Sequence, residues 1–158
     1  LVYCRNLLTH VARPVEVLRG MWDAVRPAGV IAVEDADFGG CFSYPPNDGF
    51  AFWLERYQLV VERNGGDPLS GRKLLSRFAE AGVPEPELRA VQRVDADGEA
   101  KTVPYSTLDA TADAMISAGV ATAEEIATAL ESLARFAADP SSVRGSPLMF
   151  QAFSRRVG

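Results

Sequence analysis

The chain has 158 residues, of which 47% are hydrophobic and 23% charged, and its formal net charge at pH 7 is -5. This composition predicts one globular domain, residues 1–158, and argues against disorder. The arginines are scattered, and no apolar run approaches the roughly 20 residues that cross a bilayer, so we expect no nucleic-acid partner, no membrane partner and a cytoplasmic location.

The first elements alternate between strand and helix. Residues Leu1 to Cys4 form a strand, and a helix with apolar residues at i, i+3, i+4 and i+7 begins at Pro14 and stops at Pro27. The continuous apolar run from Val30 to Val33, which ends at Glu34-Asp35, predicts a strand that is covered on both faces. Together they indicate a βαβ unit with a right-handed crossover.

A loop, two helices and an outer strand follow. The segment from Gly39 to Pro46 is a predicted loop, after which Asn47 or Asp48 caps a helix that ends at Gly65-Gly66. Ser70 is expected to cap the next helix, which Gly82 closes. The loose alternation from Leu88 to Val94 suits an outer or half-buried strand, and residues 95–98 form a turn.

A helical pair over residues 106–138 is inserted before the closing strand. Its first helix stops at Gly119, and its second begins with a capping box from Thr122 to Glu125. The apolar stripes of these helices serve either as core and docking surface or as a lid over a substrate pocket. The closing strand runs from Leu148 to Ser154, so the fold class is α/β.

No metal site or disulfide is predicted. Cys4 and Cys41 have no recognised spacing and are expected to be free thiols, while one histidine and two distant cysteines give no ligand cluster. The acidic turn at residues 95–98 resembles a calcium loop only weakly, because the later acidic ligands are out of register.

Several stretches together resemble a known family. They are Leu-Val-Tyr-Cys-Arg-Asn-Leu-Leu-Thr-His at residues 1–10, Val-Arg-Pro-Ala-Gly at 25–29 and Val-Glu-Asp at 33–35. In this order they look like the middle and C-terminal part of a class I S-adenosylmethionine-dependent methyltransferase. The segments 65–68 and 71–74 and the helix end at 78–82 are similar to the stretch before the sixth strand in many bacterial small-molecule methyltransferases.

The resemblance implies an incomplete Rossmann-like sheet. On it, the four predicted strands are strands four, five, six and an antiparallel seven of a seven-stranded sheet. The family's glycine loop after strand one and the acidic residue ending strand two both fall before Leu1, and no GxGxxG-like run occurs in the chain. We therefore expect the parent protein to transfer a methyl group to a small molecule, and the present chain not to bind S-adenosylmethionine tightly.

Candidate site residues lie where the strands end, because ligands of open α/β sheets bind beyond the carboxyl ends. The resemblance makes three residues after the first strand candidates for cofactor binding: Cys4, Arg5 and Asn6. Six residues after the second strand are candidates for acceptor binding: Glu34, Asp35, Asp37, Phe38, Phe42 and Tyr44. Alternatively, Arg5 pairs with Glu34 or Asp35, and the aromatic residues pack the loop onto the helix that contains Phe50.

His10 is the candidate general base. The resemblance places it near the pocket rim, where a neutral imidazole can accept a proton from a hydroxyl or amine acceptor. The alternative is a capping or packing role.

Two further hypotheses stay open. An unpartnered first strand would expose an apolar edge, so we expect self-association, either edge to edge or through the face that the absent layer would cover. The chain could then be a non-catalytic interaction or dimerisation module. A different α/β enzyme is a further alternative, although a hydrolase is disfavoured because no G-x-S-x-G motif occurs.

Overall fold

The computed structural model describes residues 1–158, and the chain divides into two compact units. The first unit comprises Leu1–Gly39, Val61–Gln92 and Pro147–Gly158, and the second comprises Gly40–Val60 and Arg93–Ser146. Length and composition predict a single domain, and the pattern of apolar residues predicts a helical insertion at 106–138. That helical pair lies inside the second unit, which also includes residues 40–60.

The chain forms seven strands, six α-helices and three short 3₁₀ turns. The strands are β1 (Val2–Arg5), β2 (Val30–Asp37), β3 (Phe42–Tyr44), β4 (Glu87–Val91), β5 (Val94–Asp95), β6 (Val143–Gly145) and β7 (Leu148–Arg155). The helices are α1 (Pro14–Asp23), α2 (Asp48–Arg63), α3 (Leu74–Ala81), α4 (Gly98–Lys101), α5 (Val103–Ser117) and α6 (Ala123–Ala138). The 3₁₀ turns are Leu8–His10, Phe38–Gly40 and Gly71–Lys73. No helix qualifies as a membrane-spanning segment by its length and hydropathy.

The first unit contains a mixed four-stranded sheet in the order β1-β2-β7-β4. β1 and β2 are parallel, as a βαβ unit requires, and β7 is antiparallel to both β2 and β4. β4 therefore runs in the same direction as β1 and β2. The predicted antiparallel closing strand is confirmed.

Helices α1 and α3 supply the apolar side chains that cover this sheet. Leu18 of α1, Ile31 and Val33 of β2, and Leu74 and Phe78 of α3 are at most 1% exposed and belong to one cluster. Burying each such side chain contributes roughly 1.5–3 kcal/mol. The apolar periodicity of α1 and the continuous apolar run of β2 therefore explain the core of this unit.

Two of the predicted strand ends are wrong. β2 continues four residues beyond Val33, because its pairing with β7 stays in register as far as Asp37 and Leu148. The strand predicted from Leu88 to Val94 instead ends at Val91 as an exposed edge strand. Val94 belongs to β5, which pairs with β6 in a different sheet.

The second unit consists of a small sheet and three principal helical segments. Its strand order is β3-β6-β5, with both pairs antiparallel. β3 lies within the segment 39–46 that was predicted as a loop, so that prediction is wrong for Phe42–Tyr44. A separate apolar cluster joins α2, α5 and α6 and includes Phe50, Trp53, Leu108 and Leu133.

Most of the predicted helix ends are confirmed. The Asn47 side chain accepts a hydrogen bond from the Phe50 amide at 2.8 Å, and both hydrogen bonds of the Thr122–Glu125 capping box are present. Gly82 closes α3 with a φ of 74°, which glycine adopts without strain. Ser70 does not cap α3, because a 3₁₀ turn precedes the helix and the Ser70 hydroxyl accepts from Arg77 instead.

Candidate functional site

The carboxyl end of β1 lies beside Val33 and Glu34 of β2, which continues three residues further to Asp37. Cys4 is paired with Val33 and Arg5 with Glu34 in the parallel register. The chain then leaves β1 at Asn6, whose φ is 50° and whose amide donates to the Glu34 carbonyl at 2.9 Å. The structure thus brings Cys4, Arg5, Asn6 and Glu34 together at one sheet edge.

Glu34 interacts with two side chains of β1. Arg5 Nε lies 3.8 Å from Glu34 Oε2, and the Tyr3 hydroxyl donates to Glu34 Oε1 at 3.2 Å. The ion pair that the sequence offers as an alternative for Arg5 is therefore formed with Glu34. The Arg5 side chain is 60% exposed, so this pair contributes little to stability and leaves the guanidinium accessible.

Asp35 holds the segment that follows β1. Its carboxylate is fully buried and accepts hydrogen bonds from the amides of Leu8 (2.6 Å), Thr9 (3.2 Å) and Ala36 (3.0 Å). The Thr9 hydroxyl is its fourth donor. These bonds satisfy a carboxylate that would otherwise be costly to bury, and they fix the turn that ends at His10.

Asp37 has a comparable structural arrangement. Its carboxylate is buried and forms a bidentate ion pair with Arg72, whose Nη2 lies 2.8 Å from Oδ1. The Gly39 amide donates to the same oxygen at 2.9 Å. The hydrogen bond and charge of Asp37 raise the pKa of Arg72. In this structure the Asp35 and Asp37 carboxylates thus anchor neighbouring segments, whereas Glu34 remains partly exposed.

A third carboxylate, Asp67, was not identified by the sequence analysis. Lys73 Nζ lies 2.7 Å from it, the Leu69 amide donates at 3.0 Å, and the largely buried Arg77 forms an ion pair with it. Burial alone would raise the pKa of Asp67, but these hydrogen bonds and positive charges outweigh burial and lower it. The basic residues that follow Asp67 in the sequence were the only available signal.

Cys4 and His10 differ in their surroundings. Burial, with a smaller contribution from the charge of Asp35, raises the pKa of the Cys4 thiol to about 11, so the thiol stays protonated at neutral pH. His10 is exposed at the end of the turn, and its amide donates to the Leu7 carbonyl at 3.0 Å. Its imidazole is accessible to a ligand that reaches this edge.

The aromatic candidates occupy different environments. Phe38 is buried in the first unit, and its amide donates to the Pro68 carbonyl at 2.9 Å. Phe42 and Tyr44 lie on β3 of the second unit, where they are 40% and 66% exposed. Phe50 belongs to the helical core, with its ring 5.4 Å from that of Trp53 on the same helix.

The second unit also contains a cavity of about 450 Å³ between α2 and α6. The buried residues Gly49 and Ala129 line it, together with Asp48, Phe52 and Glu125. Glu125 is engaged in the capping box, where the hydrogen bonds from the Thr122 amide and hydroxyl lower its pKa. No three His, Cys, Asp or Glu side chains come together as a possible metal site.

Comparison with known proteins identifies the fold. No protein-family model and no curated protein matches the chain. A crystal structure of a "putative methyltransferase" from Bacillus halodurans C-125 is similar, with a TM-score of 0.52 and 17% sequence identity. The match covers 99% of this chain and 68% of that chain. At this identity the likeness concerns the fold alone, so the chain has a methyltransferase-like α/β fold.

Proposed function

We propose that the chain belongs to an S-adenosylmethionine-dependent methyltransferase that acts on a small molecule. The observation that carries this proposal is the sheet order β1-β2-β7-β4, with an antiparallel strand between two strands that run parallel to β1. The methyltransferase resemblance implies such an antiparallel last strand, whereas the parallel sheet of a dehydrogenase does not contain it. The similar fold of a protein named as a methyltransferase supports the same proposal.

The residues at the end of β1 suit one part of S-adenosylmethionine. β1 ends at Arg5, and the chain leaves the sheet at Asn6, whose amide is bound to the Glu34 carbonyl. Ligands of open α/β sheets bind beyond the carboxyl ends of the strands, so the other backbone groups of Cys4, Arg5 and Asn6 can bind the methionine part. The chain offers no glycine-rich loop for the rest of the molecule, so we propose that the remaining cofactor contacts come from sequence outside these 158 residues.

Methyl transfer depends on the positioning of the acceptor more than on acid or base groups. S-adenosylmethionine would supply a methyl group that is bonded to a sulfonium sulfur. Transfer of this methyl group would leave the sulfur as a neutral thioether. The residues of this chain would hold the acceptor in line and exclude water. The exposed His10 imidazole would accept the proton that a hydroxyl or amine acceptor loses.

The test compares this chain with the same chain extended by the sequence that precedes Leu1 in its gene. Calorimetry should detect S-adenosylmethionine binding to the extended protein and none to the 158-residue chain. An acceptor screen on the extended protein should release S-adenosylhomocysteine. In that background His10→Gln should lower kcat more than KM, whereas Glu16→Gln, an exposed charge on α1, should change neither.

Two results would contradict the proposal. Tight cofactor binding by the 158-residue chain would refute a divided cofactor site. An extended protein that neither binds S-adenosylmethionine nor releases S-adenosylhomocysteine with any acceptor would refute methyl transfer itself.

The open edge of β1 favours a second proposal, which is self-association. Tyr3 on β1 and Leu1 just before it are 51% and 86% exposed, β1 has one free edge, and such edges pair with strands of other chains. Tyr3→Lys should shift the chain towards monomer in sedimentation velocity experiments. A wild-type chain that remains monomeric at high concentration would contradict the proposal.

A further inference from the structure

The small sheet of the second unit has one polar and one apolar face. Phe42, Gly145 and Val94 are paired across the three strands, so their positions share one face, and Tyr44 lies two residues along β3 on that same face. Arg144 and Asp95 are paired on the opposite face. We call the first of these the aromatic face.

The exposure of the two faces is the reverse of the usual pattern. Phe42, Tyr44 and Val94 on the aromatic face are 40%, 66% and 55% exposed, whereas Arg144 and Asp95 are 5% and 4% exposed. Exposed apolar groups above a buried ion pair are informative, because hydrophobic burial alone would favour the opposite arrangement. The aromatic face is therefore a candidate binding surface for a ligand or partner.

Ion pairs and hydrogen bonds connect the strands on the buried face. Arg144 Nη2 lies 3.0 Å from Asp95 Oδ2, and Arg93 forms a second ion pair with Asp95. The Ser146 amide donates to the Arg93 carbonyl at 2.9 Å, and its hydroxyl accepts from the Arg93 amide at 3.2 Å. A platform fixed in this way loses little conformational entropy when a ligand binds.

The area of the aromatic face favours a small molecule over a protein as its binding partner. The exposed parts of Phe42, Tyr44 and Val94 amount to roughly 300 Å² of surface. A stable protein interface needs about 800 Å² from each partner, whereas a patch of this size matches a small ligand. None of the strand positions on the aromatic face carries a charge, so these positions offer no complement to a charged acceptor.

We propose that the aromatic face binds the planar aromatic part of the methyl acceptor, an inference that rests on the proposed function and specifies its substrate class. Stacked or edge-to-face contacts with Phe42 and Tyr44 favour a flat ring over a saturated one. The central strand contributes only Val143 and Gly145 to this face, so no long side chain separates Phe42 from Val94. The Tyr44 hydroxyl provides a polar group at the margin.

The test uses 2-naphthol as the planar probe and trans-decahydro-2-naphthol as its saturated counterpart. Titration of the 158-residue chain, followed by NMR chemical shifts, should perturb β3, β5 and β6, with weaker binding of the saturated alcohol. Phe42→Ala and Tyr44→Ala should each weaken 2-naphthol binding roughly 3- to 10-fold. Ile116→Ala, an equally exposed apolar position on α5, should leave the affinity unchanged.

Four results of these binding experiments would overturn the inference. They are no binding of 2-naphthol up to its solubility limit, equal affinity for the saturated alcohol, shifts confined to other elements, and a dimer that Tyr44→Ala dissociates. Probe binding requires no cofactor, so it stands apart from the methyltransferase assay. If 2-naphthol binds the aromatic face but no acceptor yields S-adenosylhomocysteine, the proposed function fails and the binding site stands. Methyl transfer that Phe42→Ala and Tyr44→Ala leave unchanged would refute the acceptor role.

Discussion

Replacing Asp35 with Asn should weaken the first unit severely, although the two side chains have almost the same shape. The Asp35 Oδ1 atom accepts from the Thr9 amide, the Thr9 hydroxyl and the Ala36 amide, and Oδ2 accepts from the Leu8 amide. An Asn side chain keeps most of these bonds only if its oxygen replaces Oδ1. Its NH2 group then faces the Leu8 amide, and two donors oppose each other in a buried site.

The cost of this change follows from the four donors. Three hydrogen bonds lose the extra strength of a charged acceptor, about 1 kcal/mol each, and a buried amide without an acceptor costs about 1–3 kcal/mol. The expected loss in the free energy of unfolding is therefore about 4–6 kcal/mol. With a urea m-value near 2 kcal/mol/M, the unfolding midpoint should fall by about 2–3 M.

Trp22 allows this unit to be followed separately. It packs against the core of the first unit, whereas Trp53 lies in the second, so a Trp53→Phe background leaves one fluorescent reporter. Urea unfolding of this background, with and without Asp35→Asn, gives the difference in stability. Glu16→Gln, which breaks an exposed ion pair with Arg13, should cost less than about 1 kcal/mol.

If Asp35 anchors the segment after β1, its replacement should also change the hydrogen exchange of the amides that it binds. Hydrogen exchange at the Leu8 and Thr9 amides should accelerate in the Asp35→Asn variant more than exchange in the core of β2. A stability loss below about 1 kcal/mol, together with unchanged protection of these two amides, would refute the conclusion that Asp35 anchors the segment after β1.

Three further changes test other contacts. Asp67→Asn should cost about 2 kcal/mol at pH 7, since Arg77 loses its buried carboxylate partner. The folded-state pKa of Asp67 is lowered, so the stability difference between the wild type and Asp67→Asn should shrink as the pH falls below 3.8. Urea unfolding at several pH values measures this difference, and a difference that stays constant would contradict the role of the Asp67 charge. In a Cys41→Ser variant at pH 8, iodoacetamide should modify Cys4 about 100-fold more slowly than free cysteine, because its thiol has a pKa of about 11; equal rates would show that the thiol is not shielded. Thr122→Ala should lower the free energy of unfolding by about 1 kcal/mol through loss of the capping box, measured by urea unfolding, and a negligible change would contradict that role.

Local signals in the sequence predicted the elements that depend on nearby residues. The periodicity of α1, the apolar run of β2 and the Thr122–Glu125 capping box each involve residues within a few positions of one another. The side chains and backbone groups that decide these elements are close in the chain, so their pattern is readable without the fold. The same signals predicted the parallel pairing of β1 and β2 through the short βαβ connection.

The candidate site was predicted in position but not in its internal contacts. The end of β1 lies beside β2 because the two strands pair in parallel, and the proximity of Arg5 to Glu34 follows from the register. The partners of Asp35 and Asp37 could not be predicted, because Arg72 is 35 positions from Asp37 and Thr9 is 26 positions from Asp35. The acidic residues from Glu34 to Asp37 therefore predicted a strand end with exposed ligands. The folded chain instead buries the carboxylates of Asp35 and Asp37.

The sequence by itself determined the order and type of the main elements, because apolar spacing, caps and breakers act over a few residues. Only the tertiary structure decided that β2 continues to Asp37, that Phe50 belongs to a helical core and that Phe42 lies exposed on a short strand. Each of these outcomes depends on a partner supplied from a distant part of the chain: β7 for β2, α6 for Phe50 and β6 for Phe42. Hydrogen bonds and packing contacts with such distant partners can override the structure that local polarity favours. The local sequence pattern contains no information about which partner is available.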